Sequence, residues 1–347
     1  MNLDSTRKKI DSIDLELLKL LNERMELSLR AKKFKEEIKD SAREKKVVEN
    51  AKNVKGSLLD NSFIENLFSR IIDESVKVQK KGLKLIGFQG EHGAYSEMAS
   101  RIYDNSNVNI PCNEFPEIFE GVKTGFFDFG IVPVENSIEG SVNEVNDLLV
   151  ETDLKIIGEV SVPIHHCLLI LPESDYRNIK VVYSHPQALA QCRNFLSRNK
   201  LEPRPFYDTA GAARMLSQTK QENIAVIASR LSAELYNLEI LKENIEDNAS
   251  NSTRFLVIAR DKSSTGGKCS IAFKTAHKAG ALFGVLKIFS DENINLTRIE
   301  SRPIRNDPGK YAFLLDFEGS DKDGKIINAL EKVKKETIML NILGCYK

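Results

Sequence analysis

Neither sign of charge prevails in this chain. Fifty Lys and Arg residues face fifty Asp and Glu, so there is no overall basic footprint for a nucleic acid. No apolar run is long enough to span a membrane, and Met1 opens no signal-peptide pattern. No membrane partner is expected. Cysteine is scarce: Cys112, Cys167, Cys192, Cys269 and Cys345 are scattered, with no CxxC pair. That argues against zinc and against a disulfide framework and fits a reducing, cytoplasmic location, and each is expected to be a small buried hydrophobe. His165-His166 lies in an apolar run with no third ligand nearby in sequence, so it reads as structural and no metal is expected. A dinucleotide fingerprint is also missing. Gly87-Phe-Gln-Gly90-Glu-His-Gly93 is spaced GxxGxxG, and no strand-end acid follows about twenty residues on. It reads as a glycine turn whose N–H groups meet a carboxylate at a helix start.

What is present suffices for two or three domains: 347 residues, 41% of them hydrophobic. The central stretch is Val132-Pro-Val-Glu-Asn-Ser-Ile-Glu-Gly-Ser-Val142. A strand from Asp128 is expected to stop at Pro133, and a helix to start at Asn143. Glu135, Asn136, Ser137 and Ser141 would then stand at the carboxyl end of a strand, where open α/β sheets bind small ligands. A polar loop capped by Ser141 is the alternative.

Residues 3–80 contain no proline. Leu3, Ile10, Leu17, Arg24, Ala31 and Ile38 form one row of a heptad-like stripe, and Ile13, Leu20, Leu27 and Phe34 the companion row. One long helix with a buried seam is predicted. Arg24 interrupts the seam, and a buried cation is costly unless paired. It either pairs with a neighbouring acid or meets an anionic ligand, and Lys35, three turns on, would point the same way. A second helix opens at Arg43-Glu44. A third, from about Asn61 to Lys80, sets Ser75 and Gln79 on one face.

This segment resembles the all-helical (type II) chorismate mutases. The resemblance implies that Arg7, Arg24 and Lys35 hold the carboxylates and ether oxygen of chorismate. It assigns Asp40, Arg43, Glu44 and Ser75 to the ring-hydroxyl side, and makes Gln79 a donor to the ether oxygen. A Claisen rearrangement needs no nucleophile, only fixed donors and a clamp on a compact conformer.

From Leu83 to about Arg260 strands and helices alternate, as in a two-lobed α/β sandwich with mostly parallel sheets. Its strand-to-helix junctions are rich in hydroxyls and amides: Gly90 to Ser96, Glu135 to Ser141, Ser184-His-Pro-Gln187, Asp208-Thr-Ala-Gly211 and Ala228-Ser229. Five such junctions fit a cleft that binds a small polyanion at helix N-termini. A polar run, Asp247 to Arg254, leads into the apolar strand Phe255–Ala259. Together these stretches are similar to prephenate dehydratases, whose fold is like that of periplasmic binding proteins. The similarity places Glu135, Asn136, Gln187 and Thr253 around prephenate, with Ser137, Ser184, His185 and Arg254 in support. Thr253 would donate to the departing hydroxyl; Glu135 would do so only if burial raised its pKa.

After a linker at Ser263–Gly267, the order βαββαβ over residues 268–347 is ferredoxin-like. It resembles an ACT regulatory domain. Gly280-Ala281-Leu282 and Glu300-Ser301-Arg302-Pro303 match its phenylalanine-sensing motifs. The whole therefore resembles a chorismate mutase–prephenate dehydratase with bounds near 1–81, 82–262 and 268–347. The resemblance implies no cofactor, phenylalanine as effector, and a homodimer or larger homo-oligomer. Rival readings are a mutase fused to a prephenate dehydrogenase, an arogenate-preferring dehydratase, and a non-catalytic aromatic amino-acid sensor.

Overall fold

A computed structural model describes residues 3–55, 58–261, 266–304 and 310–347, and the chain divides into units 1–84 and 85–347. The first unit is three helices, α1 (Leu3–Lys32), α2 (Ser41–Lys52) and α3 (Asn61–Lys80). Asp40 and Asp60 cap the second and third, accepting from Arg43 N at 3.0 Å and Phe63 N at 2.7 Å. The long first helix does not reach Ile38. Tight turn bonds at Lys33, Phe34 and Lys35 end it, with Arg30 and Lys32 in its last turn complementing the C-terminal dipole. No breaker residue marks this turn, so the apolar period runs on past it. Lys35 is therefore off the helix, and its alignment with Arg24 on one helical face does not hold. The seam is also not buried within one chain. Leu3, Ile10, Ile13, Leu17, Leu20 and Leu27 are each at least 52% exposed, and among the described side chains of α1 only Leu29 is buried.

The second unit carries three sheets. The first has the order β2 (Val108–Cys112), β1 (Leu85–Gln89), β3 (Phe129–Asn136), β11 (Ser252–Ala259), β5 (Lys155–Pro163), with β4 (Gly140–Ser141) on β3. The second runs β10 (Glu239–Lys242), β6 (Cys167–Ile170), β9 (Ile224–Ala228), β7 (Val181–Ser184), β8 (Glu202–Pro205). Both are mixed rather than mostly parallel: β11 opposes β3 and β5, and β6 opposes β9 and β10. These opposed strands flank the two passages of the chain between the sheets, a long-range pairing that apolar runs do not reveal. Helices α4 (Tyr95–Tyr103), α5 (Phe115–Thr124) and α6 (Asn143–Glu151) accompany the first sheet. Helices α7 (Pro186–Gln191), α8 (Arg193–Arg198), α9 (Thr209–Thr219) and α10 (Arg230–Tyr236) accompany the second. Ile86, Phe88, Ile131, Phe255 and Val257 fill one core; Leu168, Val182, Ala225 and Ile227 fill the other.

Pro133 does not stop its strand. The β11 register shifts between Arg254 and Phe255, opposite Glu135 and Pro133, and this bulge lets β3 continue to Asn136. Bulges are where a strand tolerates proline's missing N–H.

The third sheet has the order β13 (Leu296–Pro303), β14 (Tyr311–Glu318), β12 (Lys268–Lys274), β15 (Met339–Tyr346). Helices α11 (Ala281–Asp291) and α12 (Gly324–Glu336) complete the expected βαββαβ order. Phe273, Phe289, Phe313 and Phe317 dominate its core. Residues 262–265, most of the expected linker, lie outside the described residues. The cysteine reading needs one correction. β12 and β15 place Cys269 directly opposite Cys345, and the two form a disulfide with Cα atoms 4.0 Å apart. Cys112, Cys167 and Cys192 are free and buried, and burial pushes the Cys167 thiol up to about 11.

Candidate active sites

A cavity of about 220 Å³ opens between the first two sheets. Its floor is a ladder pair at the ends of β3 and β11, Asn136 opposite Thr253. Both are buried. Asn136 Nδ2 donates to Thr253 Oγ1 at 2.9 Å and to Asn251 Oδ1 at 2.7 Å. Asn136 Oδ1 accepts from Ile138 N and Glu139 N, at 2.9 and 3.0 Å, which fixes the amide's orientation. Thr253 Oγ1 thus receives a hydrogen bond, and among the described residues no acceptor takes its own proton. The hydroxyl can donate into the cavity.

The opposite wall comes from the second sheet. His185 caps α7, accepting from Gln187 N at 3.3 Å, and both residues line the cavity. Asp208 caps α9, accepting from Gly211 N at 2.8 Å, and lines it too. Burial raises the Asp208 pKa above the ordinary carboxylate value. The fold therefore prefers this carboxyl protonated, and its stability falls as pH rises from the ordinary value through the raised one. Asp208→Asn keeps an N-cap without the charge. It should raise Tm at pH 7 by on the order of 2 °C, with the gain vanishing below the ordinary carboxylate pKa; thermal melts across pH check this.

Sequence reasoning did not assign several cavity residues. Gln89, Tyr95, His166 and Gln191 line it. His166 Nδ1 lies 3.0 Å from Tyr95 Oη and its Nε2 lies 2.9 Å from Gln191 Oε1. Asn251 Nδ2 also reaches Gln191 Oε1, at 3.2 Å. A polar chain thus runs from Thr253 through Asn136, Asn251 and Gln191 to His166. The one signal in the sequence was Asn251, inside the polar run; His166 was hidden by its apolar neighbours.

Four residues expected around the ligand stand elsewhere. Glu135 and Arg254 do not line this cavity. They pair across β3 and β11 on the other face of the sheet, and the Glu135 side chain is 48% exposed. The burial on which a donor role for Glu135 depends is absent. Ser137 ties β3 to the passage before β11, donating to Ser250 O and accepting from Ser252 N. Ser184 is fully buried and donates to Ile227 O at 2.6 Å.

The glycine turn meets a carboxylate of its own chain. Gly93 N donates to Glu97 Oε2 at 2.7 Å, and Gly93 O accepts from Ser229 Oγ and Ser232 Oγ at 2.6 and 3.0 Å. The two serine bonds join the two halves of the cleft. Gly93 has φ +94°, and a Cβ there would sit 2.9 Å from Ser232 Cα. Gly93→Ala should cost roughly 2 kcal/mol or more, seen as a fall in Tm of several degrees.

In the helical unit, Ser75 and Gln79 are buried on α3, and Gln79 Nε2 donates to Ser75 Oγ at 3.3 Å. Lys32 Nζ donates to Gln79 O at 2.6 Å, tying α1 to α3. Arg24 Nη1 is buried with no hydrogen-bond partner among the described residues, and burial lowers the Arg24 pKa. A desolvated guanidinium lacking an acceptor suits an anionic ligand. Arg7, Lys35 and Arg43 are exposed and Glu44 is half-buried. Asp40 is occupied as the α2 cap.

Three family models match in chain order: chorismate mutase type II over residues 6–80, prephenate dehydratase over 86–263 and the ACT domain over 270–335. The bifunctional chorismate mutase/prephenate dehydratase of Aquifex aeolicus is 36% identical, over 99% of this chain and 97% of its own. The chain belongs to the bifunctional chorismate mutase/prephenate dehydratase family. The prephenate dehydratase of Arthrobacter aurescens, solved in complex with L-Phe, is 31% identical with a TM-score of 0.70 over 76% of this chain and 89% of that one. Arogenate dehydratase 5 of Arabidopsis thaliana is 42% identical, over 75% of this chain and 67% of its own length.

In the ACT domain a second cavity, of about 150 Å³, is lined by Ala281 and Leu282 together with His277, Tyr311 and Phe313. Gly280, with φ +81°, opens α11 beside it. Residues 300–303, expected as the second sensing motif, lie against the dehydratase domain. Ser141 Oγ donates to Glu300 Oε2 at 2.5 Å, and Arg302 Nε donates to Asp147 Oδ1 at 2.6 Å. Ser301 and Pro303 alternate with these residues on the exposed face of β13.

Proposed function

We propose that the helical unit rearranges chorismate to prephenate and that the cleft converts prephenate to phenylpyruvate, water and carbon dioxide. The observation that carries the second step is the Asn136 to Thr253 bond, which leaves the threonine hydroxyl as a donor. Loss of the ring carboxylate as carbon dioxide pushes its bonding pair into the ring. The ring C–O bond breaks, and the departing hydroxyl, hydrogen-bonded by Thr253 Oγ1–H, leaves as water with a proton supplied by solvent, so that the threonine stays neutral. Aromatisation drives the step, so a modest donor suffices. Gln187 and His185, at the start of α7, orient the substrate's carboxylates. In the mutase, Arg24, with Ser75 and Gln79, meets the carboxylate and ether oxygens of chorismate.

Phenylalanine is the proposed effector, acting through the ACT domain around Gly280–Leu282 and Glu300–Pro303. The exposed apolar stripe of α1 supports a homodimer in which a second copy covers it, since exposed apolar surface of this extent marks an interaction site. No helix among the described residues is long and apolar enough to cross a membrane, and a cytoplasmic location is proposed on that and the enzyme's class. Phenylpyruvate appearing from chorismate, with prephenate as the intermediate, tests the two-step reading. The likeness to an arogenate dehydratase motivates a direct comparison of prephenate and arogenate. A higher kcat/KM for arogenate would overturn the substrate proposed for the cleft. No turnover of any of the three would favour a sensor.

A further inference from the structure

Strand alternation divides the four residues at the ends of β3 and β11 into two couples. Asn136 pairs with Thr253, and Glu135 pairs with Arg254. Successive side chains of a strand point to opposite faces. The first couple therefore faces the cavity, and the second faces the ACT domain. There Arg254 Nη2 donates to Asp316 Oδ2 at 2.5 Å and Nη1 to Glu159 Oε2 at 3.0 Å. Glu135 Oε2 lies between two guanidinium groups, 3.8 Å from Arg254 Nε and 3.9 Å from Arg298 Nε. Arg298 belongs to β13 of the ACT domain, and its side chain is only 8% exposed. Its Nη2 donates to Asn146 Oδ1 on α6 at 2.8 Å, and its Nη1 lies 3.9 Å from Asp316 Oδ2. Lys268 Nζ completes the cluster, 2.9 Å from Glu159. Each domain supplies three charges. Glu135, Glu159 and Arg254 sum to −1; Lys268, Arg298 and Asp316 sum to +1. The cluster is neutral only when the two domains are together.

We infer that Arg298, a residue of the ACT domain, is a positioning residue of the dehydratase: it holds Glu135 beside Arg254, and so fixes Asn136 against Thr253 from the far face of the sheet. Removing one member of a partly buried ion cluster leaves its buried partners, Arg254 and Asp316, less compensated and free to move. Arg254 is poised for this, because its Nε is buried with no hydrogen bond among the described residues. A displaced Arg254 carries its neighbour Thr253 along β11, and small misplacements of reacting groups are costly. β13 also presents Glu300 and Arg302 to Ser141 and Asp147 on the same face as Arg298. A shift of β13 on effector binding would therefore act on the cleft through the same contacts.

The inference rests on reading Asn136 and Thr253 as the reacting couple, so Thr253→Ala is assayed alongside. The experiment measures kcat and KM for prephenate in Arg298→Met, Arg298→Lys, Glu135→Gln and the Arg298→Met/Glu135→Gln double variant. Arg298→Met should lower kcat roughly tenfold, with KM within about twofold of the parent. Arg298→Lys, which keeps the charge, should recover most of the rate. The double variant should be no slower than the slower single variant, because both remove one contact. Parental kcat in Arg298→Met, an equal loss in Arg298→Lys, or a double loss equal to the product of the singles overturns the inference. If Arg298→Met fails to fold in thermal melts, Glu135→Gln carries the test, since its side chain is half exposed. A parental kcat there overturns the inference equally. A fully active Thr253→Ala would instead defeat the underlying site reading.

Discussion

Thr253→Ala should lose dehydration by roughly 10²–10³-fold, the usual cost of removing one donor aimed at developing charge. Prephenate should still accumulate from chorismate. The hydroxyl is buried, receives the Asn136 amide at 2.9 Å and keeps its proton for the cavity. Alanine removes the donor and changes little else in the strand, because Asn251 Oδ1 and Ser252 O still accept from Asn136 Nδ2. Thr253→Ser keeps the hydroxyl and should keep most of the rate, whereas Thr253→Val keeps the shape and should fail. Asn136→Ala should be intermediate, because it frees the hydroxyl to rotate without removing it. The measurement is phenylpyruvate release from prephenate, with mutase turnover followed in the same sample. Unchanged phenylpyruvate release in Thr253→Ala would remove the residue from the mechanism.

Much of this site was legible because it is local. Asn136 stands next to the apolar strand that places it, and Thr253 heads another, so alternation and turn chemistry located both. What pairs them is the β3–β11 ladder between residues more than a hundred positions apart, and no short-range pattern shows that. The same ladder decides which neighbour faces the cavity. Glu135 and Arg254 belong to the right motifs but the other face, because the strand continues through a bulge past Pro133. Gln191 and His166 were missed for a related reason: their polar atoms meet only where α7 passes the chain's first passage between the sheets. In α1 the apolar period marks a stripe, but period says nothing about whether that stripe is covered or where the helix turns. Lys35 shows the second failure, since the helix ends at Lys32 with no proline or glycine to announce it. The Cys269–Cys345 bond is a third case, fixed by register between strands 76 residues apart.

The exposed stripe leads to the other large effect. Arg24→Ala and Arg7→Ala should each abolish mutase turnover, while an equal mixture refolded together should recover it. Arg7 and Arg24 are seventeen residues apart on α1, about 25 Å at 1.5 Å per residue. Chorismate is far too small to reach both on one helix. Arg24 carries a buried nitrogen with no hydrogen-bond partner among the described residues, whereas Arg7 is exposed in the single chain. A second copy packed antiparallel along Leu3, Ile10, Leu17 and Leu20 would cover the stripe and bring its own Arg7 toward Arg24 of the first. Each site would then use Arg24 from one chain and Arg7 from the other. In a mixed dimer both substitutions fall in one site and the other site is intact. Half of randomly paired dimers are mixed, so about a quarter of all sites should be restored. Each variant alone should fall roughly 10²-fold or more, as expected for losing a cation that meets the developing charge. Mutase assays of the refolded mixture, with mixed dimers verified by differently tagged chains, read the result. A mixture as inactive as its components, with mixed dimers present, would show that Arg7 does not act across the interface.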